Sequence, residues 1–170
     1  MKRYILLALA VSVLLGGCSA MKPLLSDAIK SLAIPTFVNK TTQYDLETPL
    51  TNAVIKQFQV DGRLVVASPE KADAKLEGTI RQYILQPMLY DVNNVIVQYK
   101  MKMVLDLKFT DLKTGKELWF QKELGGITGG TTTYNVSGSG IETETEARQK
   151  VFYNLAAATV NRVIYGWENY

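Results

Sequence analysis

The sequence contains no histidine. That removes the commonest general base, proton shuttle and metal ligand at a stroke. It has one cysteine, Cys18, so it holds neither an internal disulfide nor a CxxC pair. Together these two shortages exclude most zinc and copper sites and the Ser/His/Asp and Cys/His nucleophile arrangements. No metal, no cofactor and no catalytic residue is expected, and the chain reads as a protein that is not an enzyme. An excess of one charge is missing too: 19 basic residues face 16 acidic ones, a net charge of +3. Such a balance sets up no strong field for a phosphate backbone, so no nucleic-acid partner is expected. Apart from one shorter apolar segment at the N-terminus there is no long apolar run, none of a length to span a bilayer, and no heptad or longer repeat.

That N-terminal segment is the most telling part of the chain. Lys2 and Arg3 precede an apolar stretch of eleven residues, Ile5 to Leu15, broken only by Ser12, then Gly16, Gly17 and Cys18. The order charge, apolar, small is that of a secretory signal, and the apolar stretch is too short to cross a membrane comfortably. LLALAVSVLLGGCSA resembles the lipobox of bacterial lipoproteins. The resemblance implies that residues 1–17 are a cleaved signal peptide and that the Cys18 sulfur carries the lipid. Residues 18–29 are then a lipidated tether, and residues 30–166 one folded domain. The mature chain has 153 residues, with 17 basic against 16 acidic. A chain of that size buries about 70% of its unfolded surface. Acyl chains contribute about 0.8 kcal/mol per buried methylene, so two or three hold such a domain on a bilayer. Ser19, rather than aspartate, follows the cysteine. By the same resemblance this implies the periplasmic leaflet of an outer membrane.

Patterning then predicts the elements. KSLAIPTF, residues 30–37, reads as a strand that Pro35 confines to an edge or an end. Residues 45–59 read as a helix with Leu46, Leu50, Ala53, Val54 and Phe58 on one face. Asp45 or Thr48 is its expected cap, and Gly62 its stop. Residues 63–67 form a short strand. From residue 74 the period changes to two. Strands are expected over 74–85, 95–110 and 117–127, joined by turns at 91–94 and 113–116 as an antiparallel meander. The glycine-rich stretch 125–140 is expected to be a long flexible loop. Thr143 and Glu146 have capping-box spacing, and a helix follows to about Tyr165 with Val151, Phe152, Leu155, Ala158, Thr159 and Val163 inward. The order β-α-β-β-β-α gives an α+β class: a two-layer domain with a mixed four-stranded sheet and both helices on one face.

In the strand containing residues 99–110, Tyr99, Met101, Met103, Leu105, Leu107 and Phe109 alternate with Lys100, Lys102, Val104, Asp106, Lys108 and Thr110. The apolar set should meet the helices. The second set then lines an open sheet face carrying three lysines, Lys100, Lys102 and Lys108. These are candidate contacts for an anionic lipid or partner, as well as ordinary members of a solvated face. Arg81, Lys113 and Lys116 extend the row, and Trp119 sits nearby on a face that Lys122 leaves ambiguous. Ser68-Pro-Glu-Lys71 and Lys113-Thr-Gly115 match the S-x-x-K and K-T-G motifs of serine β-lactamases and penicillin-binding proteins. Ser68 falls in a Ser-Pro break and 153 residues are too few for that fold, so chance accounts for both.

The segments IKSLAIPTFVNKTTQYDLETPLTNAVIKQF (29–58), ADAKLEGTIRQY (72–83), LKFTDLKTGKELW (107–119) and EARQKVFYNLAAATVNRVI (146–164) together resemble the LPS-assembly lipoprotein family, LptE. The carriers are an I-P-x-F-x-N-x-T strand end, an L-E-x-x-L-T helix start and an A-D-x-x-L-x-G-x-I strand. Ser19-Ala20 departs from the Gly-Tyr that many members carry after the cysteine. The resemblance implies an outer-membrane lipoprotein that plugs an LptD-type β-barrel, helps it assemble, and touches lipopolysaccharide during insertion into the outer leaflet. Parts of the chain, IKSLAIPTFVN and GRLVVASPEKADAKLEG, also resemble TolB- and CsgG-type envelope modules. That alternative implies a role in secretion or envelope integrity.

Overall fold

The computed structural model describes residues 28–126 and 129–166. Cys18, the expected signal peptide and nearly all of the expected tether lie outside them. The elements run β1 (Ser31–Ala33), β2 (Val38–Asn39), α1 (Glu47–Asp61), β3 (Val65–Val66), β4 (Ala74–Tyr90), β5 (Ile96–Asp111), β6 (Glu117–Leu124), β7 (Thr131–Asn135) and α2 (Glu144–Tyr165). The two-layer α+β class is as expected. The sheet is larger than the expected four strands: seven take part among the described residues, in the order β3-β1-β4-β5-β6 with β2 beside β4 and β7 beside β5.

Two long central strands organise this sheet. β4 and β5 pair antiparallel along almost their whole length, from Ala74↔Asp111 to Tyr90↔Ile96. Each is flanked by a strand in two pieces. β1 and then β2 run parallel to β4, at Leu32↔Ala74 and at Val38↔Thr79. β6 and then β7 run antiparallel to β5, at Leu105–Thr110 and at Gln98–Lys102. The strand predicted over 30–37 is therefore shorter, ending at Ala33, and Pro35, which lacks an amide proton to donate, lies in the gap before β2.

The glycine-rich stretch is not one long loop. It carries β7, and the break before it closes on glycines. Met103 donates its amide to the Gly130 carbonyl at 2.7 Å. A Cβ at Gly130 would lie 2.2 Å from the Met103 carbonyl and 2.3 Å from that of Gly125. Glycine content thus reports close backbone approach here rather than looseness. The strand predicted over 117–127 ends at Leu124 for the same reason, whereas the strand predicted to end at 85 runs on through Pro87 to Tyr90.

The expected cap of α1 is also corrected. Asp45 sits at φ 58°, and Leu46 occupies the cap position without a side-chain bond. The helix entrance is tied down differently. Thr51 Oγ accepts the Phe37 amide at 2.9 Å and donates to the Glu47 carbonyl at 2.6 Å. Asn39 Nδ2 donates to Glu47 Oε2 and to the Gln43 carbonyl. Phe37 in turn lies over Gly78, where a Cβ would meet its ring at 2.5 Å. The helix stops as predicted: Gly62, at φ 75°, donates its amide to the Phe58 carbonyl. α2 has the predicted capping box. Thr143 Oγ accepts the Glu146 amide, and Glu146 Oε2 accepts the Thr143 amide at 2.8 Å.

Both helices cover one sheet face. Met101, Met103, Leu105, Leu107 and Phe109 of β5 form a single core with Leu50, Val54 and Phe58 of α1 and Val151, Leu155 and Val163 of α2. Asp73 pins the start of β4 beside β1. Its Oδ2 accepts the Lys30 and Ser31 amides and the Ser31 hydroxyl, and its Oδ1 meets Lys113 Nζ at 2.6 Å. The Lys113 ammonium and these amides hold the Asp73 carboxyl well below the usual carboxylate range. Ser68 lies in a turn, its carbonyl accepting the Lys71 and Ala72 amides.

Candidate functional site

Two surfaces remain uncovered by the helices, and both belong to the β4–β5 hairpin. One is its far end. Tyr83 donates its hydroxyl to Glu144 Oε1 at 2.6 Å, and Leu85 is the last residue of β4 packed against the core. Burial, then the Glu144 hydrogen bond, pushes the Tyr83 phenol above its usual range. Every residue from Gln86 to Val95 is exposed. Met88, Leu89, Tyr90, Val92 and Val95 therefore stand in solvent on an arm whose β4 edge beyond Gln82 has no strand partner other than β5 among the described residues. Solvated arms of this kind, apolar and with one free edge, mark contact surfaces.

The other surface is the open sheet face. Lys100, Lys102 and Lys108 all lie there, as the alternation predicts, each half-buried along its stem. The structure separates them electrostatically. Lys108 Nζ lies 4.0 Å from Glu77 and 3.9 Å from Glu117, on the two neighbouring strands. Lys100 and Lys102 pair with no carboxylate among the described residues. Lys113 is committed to Asp73, at the sheet end away from the arm. Phe120, opposite Lys108, and Ile84, opposite Lys102, are exposed on the same face. The face thus mixes cations with apolar side chains. Trp119 is on the other side: it stacks on Phe109 at 5.3 Å, with the Arg162 guanidinium 4.3 Å from its ring. Burial pulls Arg162 down to about 10.

Sequence reasoning missed a feature in the middle of this face. Asp106 stands between two bulges. On β4 the register slips between Ile80 and Gln82, leaving Arg81 extra; on β6 two residues, Lys122 and Glu123, stand against Asp106 alone. Asp106 Oδ1 accepts the Glu123 amide at 3.1 Å and its Oδ2 meets Arg81 Nε at 3.4 Å. The result is a depression of about 490 Å³ lined by Lys40, Arg81, Gln82, Val104, Asp106, Lys122 and Glu123. A second, more open hollow of about 870 Å³ lies between Thr132, the Gly140–Glu142 turn and the start of α2.

The described residues contain no group of three acidic, cysteine or histidine side chains placed to hold a metal ion. None of their helices is long and apolar enough to cross a membrane.

Comparison with known proteins decides the family. The lipopolysaccharide-assembly family, LptE, matches residues 29–164, the whole of the sheet and nearly all of both helices. The chain belongs to the LptE family. No curated protein matches its sequence. Solved structures share the LptE-like fold at low identity. PelC from Paraburkholderia phytofirmans, a dodecamer, is 14% identical with a TM-score of 0.51, covering 85% of this chain and 96% of its own. Protein XCC0632 from Xanthomonas campestris is 13% identical with a TM-score of 0.51, covering 81% and 88%. The hypothetical protein CT253 from Chlamydia trachomatis is 10% identical with a TM-score of 0.52, covering 79% and 95%. At these identities the likeness is one of fold.

Proposed function

We propose that the protein is an outer-membrane lipoprotein, anchored on the periplasmic side through Cys18, that plugs an LptD-type β-barrel and assists lipopolysaccharide insertion. The observation that carries this reading is the LptE match across residues 29–164. The geometry supports it in three ways. The open face offers cations and apolar groups together, as an amphipathic phosphorylated lipid or the polar lumen of a barrel requires. The arm offers a free strand edge. The start of the described domain and the tip of the arm also lie at opposite ends of β4: Leu32 pairs with Ala74, and the arm ends at Tyr90, about 55 Å away at strand rise. An arm that reaches that far beyond the domain's point of entry suits insertion into a barrel. The role is binding and assembly, with no catalytic step.

The test is affinity purification of the tagged, full-length protein from outer membranes in mild detergent. A stoichiometric large β-barrel in the eluate is the expected result. A self-oligomer with no barrel would overturn the reading. Cys18→Ala should leave the chain unlipidated and absent from the outer-membrane fraction.

A further inference from the structure

The paired bulges around Asp106 reset which later residues face the core, Tyr83 and Leu85 on β4 and Leu124 on β6, and they also shape the open face. Bulges re-aim side chains, and here two do so toward one point on the open face. On β4 the slip turns Arg81 and Gln82 to the same side, between the inward-facing Ile80 and Tyr83. On β6 it places Glu123 at φ 55°, a left-handed conformation that costs a non-glycine residue about 1 kcal/mol or more. Asp106 holds both bulges at once, through the Glu123 amide and the Arg81 guanidinium. Lys40 completes the ring from the end of β2, where its amide bonds to the Ile80 carbonyl. Val104, only 2% exposed, lines the depression as its apolar member.

The charges in this depression are not balanced locally. Asp106 is already engaged by Arg81 and a backbone amide. Neither Lys40 nor Lys122 has a carboxylate within pairing distance among the described residues. Lys40, Arg81 and Lys122 thus line, with Asp106 and Glu123, a space of about 490 Å³ whose lining carries more positive than negative charge, inside the usual range of about 300–1,000 Å³ for small-molecule sites. Glu123 and Gln82 line the same space and supply acceptors for hydroxyl donors. We infer that this depression binds a phosphorylated sugar, with the phosphate on Lys40, Arg81 and Lys122 and sugar hydroxyls on Glu123 and Gln82. Three cations around one phosphate give charge-assisted hydrogen bonds, and the carboxylate selects for a ligand that also donates. The site differs from the row of Lys100, Lys102 and Lys108, of which it contains none. The inference rests on the lipopolysaccharide reading only for the source of the sugar: a lipid-borne headgroup or a soluble sugar phosphate presents the same chemistry.

The full-length protein in neutral detergent, titrated calorimetrically with glucose 1-phosphate, glucose and inorganic phosphate, tests this. Saturable binding of glucose 1-phosphate is expected, weaker by about tenfold in each of Lys40→Gln and Lys122→Gln. Glucose should not bind, and Lys56→Gln, exposed on α1 across the sheet from the site, should bind as the parent does. The melting temperature of each variant, measured alongside, should match the parent. No saturable heat, unchanged binding in both site variants, or equal weakening in Lys56→Gln would overturn the inference. Inorganic phosphate binding as tightly as glucose 1-phosphate would overturn the recognition of the sugar. A parallel titration with lipopolysaccharide assigns the source. If Lys40→Gln and Lys122→Gln weaken it, the ligand is lipid-borne; if they weaken only glucose 1-phosphate, it is soluble. Because no barrel is present, a negative result removes this site alone, and absence of a barrel from the eluate removes the plug reading alone.

Discussion

Met103 and Gly130 are bound amide to carbonyl at 2.7 Å, at a place where any side chain on residue 130 would collide with the Met103 carbonyl oxygen. This contact lets the chain leave the β5 edge after Leu124 and return to it at Thr131. Gly130→Ala should therefore destabilise the domain by about 2–3 kcal/mol, the scale of an overpacked core position. Gly138→Ala is the comparison: its backbone has the positive φ, 84°, that Gly130 lacks, but open space surrounds it, so it should cost less than Gly130→Ala. Chemical denaturation of both variants checks the difference.

The capping box of α2 makes a smaller and cleaner prediction. Thr143→Ala removes the acceptor for the Glu146 amide and should cost about 1 kcal/mol. Thr143→Ser should recover most of it. Denaturant midpoints at constant slope report both.

Asp73 predicts a pH dependence. Its carboxyl is held below the usual range by Lys113 and by the Lys30 and Ser31 amides. A lowered folded-state pKa gives stability that is fully present above the unfolded value of about 3.9 and lost as pH falls through the folded one. Asp73→Asn should lower stability at neutral pH and flatten this part of the acid limb. Melting curves from pH 7 down to pH 2 measure the slope. An acid limb as steep as the parent's would show that the carboxylate contributes nothing.

The three lysines of the open face should not behave alike. Lys108 is shared between Glu77 and Glu117, so Lys108→Glu sets three carboxylates together and should lower stability. Lys100→Glu and Lys102→Glu break no ion pair and should leave the melting temperature within about 2 °C of the parent. If the face meets lipopolysaccharide, these two weaken its binding. Binding unchanged in both would make them ordinary solvated residues.

The core was legible because its period is regular. Met101 to Phe109 on β5 name their buried residues directly; on α2 the spacing finds Val151, Phe152, Leu155, Thr159 and Val163, but Ala158 is only half-buried and Ala147, Ala156, Val160, Arg162 and Ile164 are buried as well, because the helix is covered on more than one stripe. The family signature was legible as well, and the structure shows what it encodes. Phe37, Asn39, Glu47, Thr51 and Gly78 build the entrance to α1 and its seat on β4. Its residues are used for architecture, which is why they name a family without naming a ligand. What escaped was written as doublets. Arg81-Gln82 and Lys122-Glu123 each put two polar residues where alternation allows one. On β6 this was visible only as an ambiguity over the face of Trp119. A slip of one residue moves every later side chain to the other face, so the inward set there is Trp119, Gln121 and Leu124. β7 escaped because glycine and threonine carry no apolar alternation, and its place is set by β5, some thirty residues earlier.

The hairpin that runs through the molecule lives in two environments. Near Leu76 and Ile80 its amides lie over a closed core and are freed for hydrogen exchange only when the whole domain unfolds. Past Gln86 they lie over nothing, and a local opening that leaves the helices in place is enough to release them. The same two strands are thus rigid where they are held and yielding where they reach out, so a receptor can reshape the tip without drawing on the stability of the domain behind it.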